Sequence, residues 1–422
     1  MRKFDILFVT MASTLTLAGC GGEGSGDELS LEGRKTLPSA QVSSQPAPAP
    51  TPTPAPTTAA VAPVNSGYIL AKSLDGAEDL VAGFDINLGL QAAWSTGQIP
   101  GKYANDEGAF RFVCGGDGAL AKDDPIVYFK QPGASHLHHV WGNAVFKSDT
   151  TPADLAKSAV TNCNDTQYSL NRSSYWMPAL IHEGGDVIKP DLVMVYYKRK
   201  AASSAACNPA SSSYIGTCVG IPSQIRFIFG WDSKQPTAEV VGATWICTSV
   251  GGHYKNLDDM FAAGCSVGSD FYANTVAPNC WDGKYLDTPD HRSHMAYPVA
   301  DKNTGQGRCP ATHTYLIPQQ ENKAGFRVTA DMIGTRADGS KYSRVRLASD
   351  AMLAGAKPGA TLHADYMEAW VTSAKTLWMD HCINRALDCS GGDLGNGKQL
   401  VGAAQPSYGW RNPNARVSWT PG

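Results

Sequence analysis

The sequence predicts a mainly β protein, a β-sandwich or jelly-roll-like single domain with long loops and a few short helices. Three observations lead to this prediction. Short alternating or β-branched runs recur along the chain, and Gly, Pro, Asn and Asp turns separate them. Charged residues make up only 17% of the 422 residues, whereas Gly alone accounts for 43. The chain also has 11 Cys, which is typical of loop-rich extracellular β domains braced by disulfides.

The β-type runs are the predicted strands 124–129, 140–146, 192–197, 224–229, 238–247, 313–317 and 326–332. Helical spacing is rarer and predicts helices over 256–263 and over 365–386, the second of which Asp365 could cap. Residues 201–220 look like a surface loop. The tail from Gly391 is irregular, and we expect its Trp410 and Trp419 to fold back on the body.

The first residues have the layout of a bacterial lipoprotein signal peptide. Arg2 and Lys3 precede an apolar stretch over 6–17, which is too short for a comfortable membrane span. Leu17-Ala18-Gly19-Cys20 then reads as a lipobox, so we expect cleavage after residue 19 and lipidation of Cys20. The alternative is an ordinary secretory peptide in which this Cys is incidental.

A spacer and one globular domain are expected to follow the anchor. The segment 20–65 is small, polar and rich in Pro, Thr and Ala, so it cannot bury enough apolar surface to fold. Residues 66–422 are long enough for one large domain, predicted to be a monomer. The anchor places it in the cell envelope, at the outer membrane or cell surface. A net charge of −3 gives no electrostatic case for nucleic acid.

The ten cysteines after Cys20 are an even number, which suggests up to five disulfides. The sequence does not determine the connectivity, and our hypothesis is that neighbours pair. No Cys-x-x-Cys occurs, so a cysteine zinc site has little support. The hypothesis gives the pairs 114–163, 207–218, 247–265, 280–309 and 382–389.

Histidines cluster in Ser-His-Leu-His-His-Val-Trp-Gly at 135–142. On a strand, His136 and His138 would point to the same face, where two imidazoles could bind one metal ion or substrate. A pair of buried structural histidines is the competing interpretation. His363 and Asp365 would also share a face if the chain there is extended, which competes with Asp365 as a helix cap.

A second polar cluster is CWDGKYLDTPDHRSHMAYP at 280–298, with three Asp, two His, a Lys and an Arg. Such a loop is costly to bury without a function. No Gly-x-Ser-x-Gly elbow, Walker loop, dinucleotide fingerprint or His-Glu-x-x-His is present, so serine-hydrolase, nucleotide and zincin chemistry lack support.

At these motifs the chain resembles a secreted fungal and bacterial family known as domain of unknown function 1996. The resemblance covers most of the domain, and it implies a secreted, surface-associated protein without implying an established reaction. In the family pattern, position 139 is usually not His. The matching stretches are Asp124-Pro125-Ile126, His136-Leu137-His138, 174–178, 195–197, 280–298, 309–313, 362–365 and 382–384.

Three functions remain open at this point. The first is an enzyme on polysaccharide, a lyase or glycoside hydrolase, since the envelope address favours polymers too large to import. Hydrolysis would need two carboxylates, with Asp282, Asp287 and Asp290 as candidates. Elimination would need a His or Tyr base and a cation. The catalytic candidates are His136, His138, Tyr175, Asp282, Asp290, His291, Arg292 and His294.

The second function is a non-catalytic carbohydrate or surface-binding module, in which aromatic rings, among them Trp410, stack on sugars. Its candidates overlap with the substrate-binding residues expected for an enzyme: Trp176, Trp281, Lys284, Tyr285 and Asp365. The third is a metal-binding surface protein. The cofactor would be a divalent metal ion bound by His136, His138, His294 and His363.

Overall fold

The computed structural model describes residues 67–143, 145–164, 167–300, 305–403 and 415–418. The predicted signal peptide, Cys20 and the whole linker lie outside these residues, as do Trp410 and Trp419. Within the described residues, no helix is long and apolar enough to cross a membrane.

Two antiparallel sheets form the sandwich, which confirms the predicted fold class. The five-stranded front sheet has the order Arg226–Gly230, His363–Met367, Ser174–Pro178, His138–Gly142 and Ala119–Ala121. The six-stranded back sheet has the order Ala243–Cys247, Asp270–Val276, Gln319–Arg327, Leu192–Lys200, Glu107–Gly115 and Asp388–Cys389, of which only the last joins in parallel.

Smaller sheets are built on the loops. One four-stranded sheet joins Thr217–Cys218, Tyr315–Leu316, Cys280–Trp281 and Met295–Ala296. Another joins Val345–Leu347, Leu180–His182, Asp186–Ile188 and Arg416–Ser418. Four strand pairs complete the set: Ile69–Leu70 with Tyr285–Asp287, Leu90–Ala92 with Lys398–Leu400, Val299–Ala300 with Gly307–Arg308, and Ile333–Thr335 with Lys341–Ser343.

Helices are short in the described residues. Leu257–Ala262 begins at the predicted place, because the Asn256 side chain accepts a hydrogen bond from the amide of Asp259. The prediction over 365–386 is wrong in its first part: Asp365 lies in a strand, and the helix Thr372–Trp378 begins later and continues as a π turn over Met379–Ile383. The strand His363–Met367 is buried along its whole length, so its apolar residues imitate helical spacing. The remaining α-helix is Pro152–Leu155, and 3₁₀ turns occur at 86–89, 93–95, 104–106, 205–207, 330–332 and 348–352.

The predicted strand 124–129 is also wrong, since this segment is a turn. The Asp124 carboxylate accepts hydrogen bonds from the amides of Ile126 and Val127, both at 2.9 Å, and this arrangement replaces strand pairing. In the predicted strand 326–332, only Phe326 and Arg327 belong to a strand. The other predicted strands fall on real ones whose ends differ by a few residues.

All five predicted disulfides are present: 114–163, 207–218, 247–265, 280–309 and 382–389. The pair Cys207–Cys218 closes the loop over 201–220, as the sequence suggested. Each bond shortens a loop of the unfolded chain and so lowers its conformational entropy.

The core lies between the two sheets and is strongly aromatic. Phe110 stacks on Trp378 with ring centroids 4.9 Å apart, and Tyr175 stacks on Tyr366 at 5.2 Å. The hydroxyl of Tyr197 lies 2.8 Å from that of Tyr175 and donates to Tyr366 at 3.1 Å, so this buried polar group is satisfied.

The opposite face of the front sheet is covered by loops. Residues Ile126, Phe146 and Leu155 pack there against Val140, Trp176 and Met367 in a second apolar cluster. Because side chains alternate along a strand, His138, His363 and Asp365 point to this same outer face. The polar residues therefore collect beside the second cluster, under the loops.

Candidate metal centre

Three histidines converge on the outer face of the front sheet. His138 pairs with Pro178 in the sheet, and the pairing of Asp365 with Trp176 brings His363 next to the same Pro178. His136 comes from the loop just before the strand. The ligand atoms of the three side chains all lie within 4.8 Å of one another. We call His136, His138 and His363 the triad.

Backbone carbonyls orient two of the three rings. The Nδ1 of His138 lies 3.2 Å from the carbonyl oxygen of Asp123, and the Nδ1 of His363 lies 2.9 Å from that of Thr361. A ring that donates from Nδ1 keeps its Nε2 lone pair for another partner. Donation from the other ring nitrogen to a carbonyl oxygen is the usual outer contact of a metal-binding histidine.

Several triad nitrogens are buried without a partner. Both ring nitrogens of His136 and the Nε2 of His138 have no hydrogen bond to any described residue. A buried unsatisfied polar group costs about 1–3 kcal/mol, so native proteins rarely leave several together. One ion between the rings would satisfy the lone pair of His136 and the Nε2 lone pair of His138.

Burial holds the triad neutral. It lowers the pKa of His138 to about 3 and that of His363 to about 4. The pKa of His136 falls well below its ordinary value because of burial and then because of repulsion from the other two rings. Neutral imidazole is the form that binds metal ions, so the triad is ready to bind at neutral pH.

These pKa values predict an acid-sensitive metal-free protein. The unfolded chain protonates its histidines near pH 6.5, whereas native His138 does so only at about pH 3. The stabilising contribution of neutral His138 is therefore complete above pH 6.5 and is lost as the pH falls towards 3. We expect His138→Gln to reduce the pH slope of the unfolding free energy between about pH 6 and 4 by about 1.4 kcal/mol per pH unit, measured by urea titration. An unchanged slope would contradict the neutral state of His138.

A close approach of two strands fixes the position of His363. Gly230 pairs with His363 across the sheet and has φ +90°. A Cβ at this glycine would lie 2.8 Å from the Cα of His363 and 2.7 Å from the carbonyl of Leu362. A larger residue would therefore push His363 away from the other two rings.

The triad opens into a cleft. Its cavity volume is about 40 Å³, enough for an ion with a few water molecules. Asp124 and Asp365 add two buried carboxyl groups, and the Oδ2 of Asp365 has no hydrogen bond to any described residue. Burial raises the pKa of both groups, and the charge of Asp124 raises that of Asp365 further. The lining includes Asp124, Ser135, His136, Trp231, Asp232, Asp290, His291, Arg292, His363 and Asp365.

The loop over 287–294 forms part of the cleft wall through its residues 290–292. Its His291 donates from Nδ1 to the buried carboxylate of Asp287 at 2.8 Å, and Asp287 also accepts from Arg226 at 2.6 Å. Arg292 donates to the carbonyl oxygens of Gly230 and Trp231 at 3.2 and 2.7 Å, which ties this loop to the front sheet.

Asp290 keeps its charge in the same loop. It accepts hydrogen bonds from the hydroxyl of Thr288 and from the amides of Arg292 and Ser293. Although partial burial acts in the opposite direction, these bonds hold the pKa of Asp290 well below its ordinary value.

Other predicted site residues do not reach the cleft. His294 lies outside the triad, because its Nδ1 contacts the hydroxyl of Thr288 at 3.0 Å and its Nε2 contacts the carbonyl of Arg226 at 3.0 Å. Tyr175 points into the core between the sheets. Asp282 caps a turn by accepting from the amides of Lys284 and Tyr285.

The predicted sugar-stacking rings are also corrected. Trp176 and Trp281 are both 0% exposed, so neither offers a face to a ligand. The indole of Trp281 donates instead to the carbonyl of Tyr285 at 2.7 Å. Tyr285 itself packs against Tyr68, and the Lys284 ammonium lies 4.5 Å from its ring centroid.

Sequence reasoning missed the cleft residue Asp124 and the role of Asp287, which lies buried behind the cleft wall. Asp124 was assigned to a strand, although the Asp-Pro dipeptide at 124–125 is a turn signal that could have identified it. Asp287 was considered only as one of a pair of hydrolytic carboxylates. In a loop, the four-residue spacing from Asp287 to His291 does not predict that the two side chains are in contact.

Residues 124–370 match the family described as Domain of unknown function (DUF1996), which is more than half of the chain. The match begins at the turn residue Asp124 and ends just past Asp365, so it spans the triad and both walls of the cleft. No curated protein and no solved structure matches the chain. The protein belongs to the DUF1996 family.

Proposed function

We propose that this domain binds a divalent transition-metal ion, with zinc the best fit, through His136, His138 and His363. The observation that carries the proposal is the convergence of three neutral imidazoles, of which His136 and His138 have buried ring nitrogens with no partner among the described residues. Imidazole nitrogen suits zinc, copper and nickel, while magnesium and calcium prefer oxygen ligands.

Three protein ligands are the pattern of catalytic zinc rather than structural zinc, because the fourth position stays open for water or substrate. Here that position would face the cleft. Tetrahedral nitrogen ligands lie about 3.3 Å apart, so the rings would close in from their present spacing of up to 4.8 Å. His136 comes from a loop and can make most of this adjustment.

The proposed setting is the cell surface. The lipobox at Cys20 and the Pro-rich spacer support a lipid-anchored envelope protein, and polymers such as polysaccharides are the substrate class that such an address favours. A purely aromatic binding module has less support, since Trp176 and Trp281 are buried. We therefore place metal-assisted catalysis ahead of passive sugar binding.

Elemental analysis tests the metal site. Protein made without an affinity tag is exposed to zinc, copper and nickel and then dialysed. We expect about one ion per chain, and zinc retained best. Less than about a tenth of an ion per chain, with a folded protein, would end the proposal.

A further inference from the structure

We infer that His291 is the proton-transfer residue of this site, held in position by Asp287, and that the reaction is hydrolysis of a small acyl ester carried on a larger molecule. This inference rests on the metal site proposed above. His291, His136 and His363 line the same small cavity, so the His291 side chain shares this space with two of the triad rings.

The contacts of Asp287 fix the tautomer of His291. The carboxylate is completely buried and binds Arg226 through one oxygen, while the other oxygen accepts from the Thr288 amide at 2.9 Å and from Nδ1 of His291 at 2.8 Å. With Nδ1–H directed at the carboxylate, Nε2 is the nitrogen that can take a proton from water and return it.

The backbone of His291 is held in an unusual conformation. Its φ is +58°, in the left-handed region. Its amide donates to the carbonyl of Thr288 at 2.8 Å, and its carbonyl accepts from the amide of Ile228 at 3.0 Å. Strained conformations of this kind persist where surrounding contacts enforce them, and they concentrate at functional sites.

His294, the other histidine of this loop, differs from His291 in its hydrogen bonds. His294 uses both ring nitrogens in hydrogen bonds to Thr288 and Arg226, so it has no lone pair left for a proton. His291 uses only Nδ1 among the contacts with described residues, apart from an electrostatic interaction with Asp124. The loop therefore holds one structural histidine, His294, and one histidine, His291, whose Nε2 is available for proton transfer.

The size of the cavity selects the substrate. A volume of about 40 Å³ holds only a few water-sized groups, so only a small part of a substrate can enter it beside the ion. An acetyl-sized ester group projecting from a polymer meets this limit. The polymer itself would stay outside the cleft.

The reaction is balanced without any oxidant or reductant. The ion, when bound, would polarise a water molecule. Nε2 of His291 takes one proton from this water as the water oxygen forms a bond to the ester carbonyl carbon. The tetrahedral intermediate then breaks its bond to the alcohol oxygen, which takes the proton back from His291. The products are one carboxylic acid and one alcohol, and one water is consumed.

The test uses zinc-loaded protein and p-nitrophenyl acetate, with His291→Asn as the main variant. Asn tolerates the left-handed backbone and can still donate to Asp287, but it cannot transfer a proton at neutral pH. We expect kcat to fall about 100-fold or more, with KM and zinc content close to wild type. Adding 2-methylimidazole should restore part of the rate to His291→Ala. The control His253→Gln, at an exposed position that contacts Thr244 in the back sheet, should keep the full rate.

The outcomes separate this inference from the metal site. Zinc-loaded wild type that does not hydrolyse the ester would overturn the inference and leave the metal proposal intact. A wild-type rate in His291→Asn would overturn the role of His291. Wild type that binds no zinc would refute both.

Discussion

Replacing His363 by Ala is expected to weaken zinc binding about 1,000-fold, a loss of about 4 kcal/mol of binding free energy. The ligand strand is the rigid part of the site, since His363–Met367 is buried along its length and His363 is oriented by the Thr361 carbonyl. Changes to outer contacts of metal ligands typically cost about 10–100-fold, so removing a ligand should cost more. Competition titration with a zinc chelator gives the dissociation constants.

The matched control is His139→Asn. His139 is also buried and adjoins His138, but as its neighbour on the strand it points to the opposite face. Its substitution should leave zinc affinity within about threefold of wild type, because it provides no ligand. Equal losses in the two variants would mean that any substitution of a buried histidine in the front sheet disturbs the site, and the triad assignment would fail.

The largest effect on stability is expected from Lys375→Met, which should lower the free energy of unfolding by about 3–5 kcal/mol. The Lys375 ammonium donates to Glu368 at 3.0 Å and to the hydroxyl of Ser223 at 2.8 Å. Glu368 is 0% exposed and also accepts from the amides of Gln224 and Trp370. Removing the lysine leaves a carboxylate in the interior without its counter-charge.

Urea unfolding of three proteins tests this expectation. Lys375→Met should be the least stable, while Lys375→Met combined with Glu368→Gln should recover much of the loss, because no unpaired charge remains. A single variant within about 1 kcal/mol of wild type would show that the pair contributes little, as exposed ion pairs do.

Much of the fold could be predicted because the relevant signals are local. Alternation along 192–197 predicts a central strand of the back sheet, and helical spacing over 256–263 predicts the helix Leu257–Ala262. The region after Asp365 could not be read correctly, since a strand buried on both faces has no alternation. The apolar run that begins at Asp124 was misread in a similar way, because it forms a turn among the loops and not a strand.

The site depended on contacts between distant segments. The spacing of His136 and His138 was visible in the sequence, but their approach to His363 depends on how three strands pair in the front sheet. Residue type alone could not distinguish His294 from His291 as candidates for the site. Only their hydrogen bonds distinguish a satisfied ring from one with a free nitrogen.

The disulfide pattern has a consequence for how the chain matures. Ten cysteines allow about 945 pairings, and the native one joins each cysteine to its next neighbour, so no bond encloses another. If Cys20 is lipidated as proposed, each second cysteine meets only one unpaired partner when the chain emerges with its N-terminus first. A simple thiol oxidant acting in order of emergence would then yield the native set, without an isomerase to reshuffle mistakes.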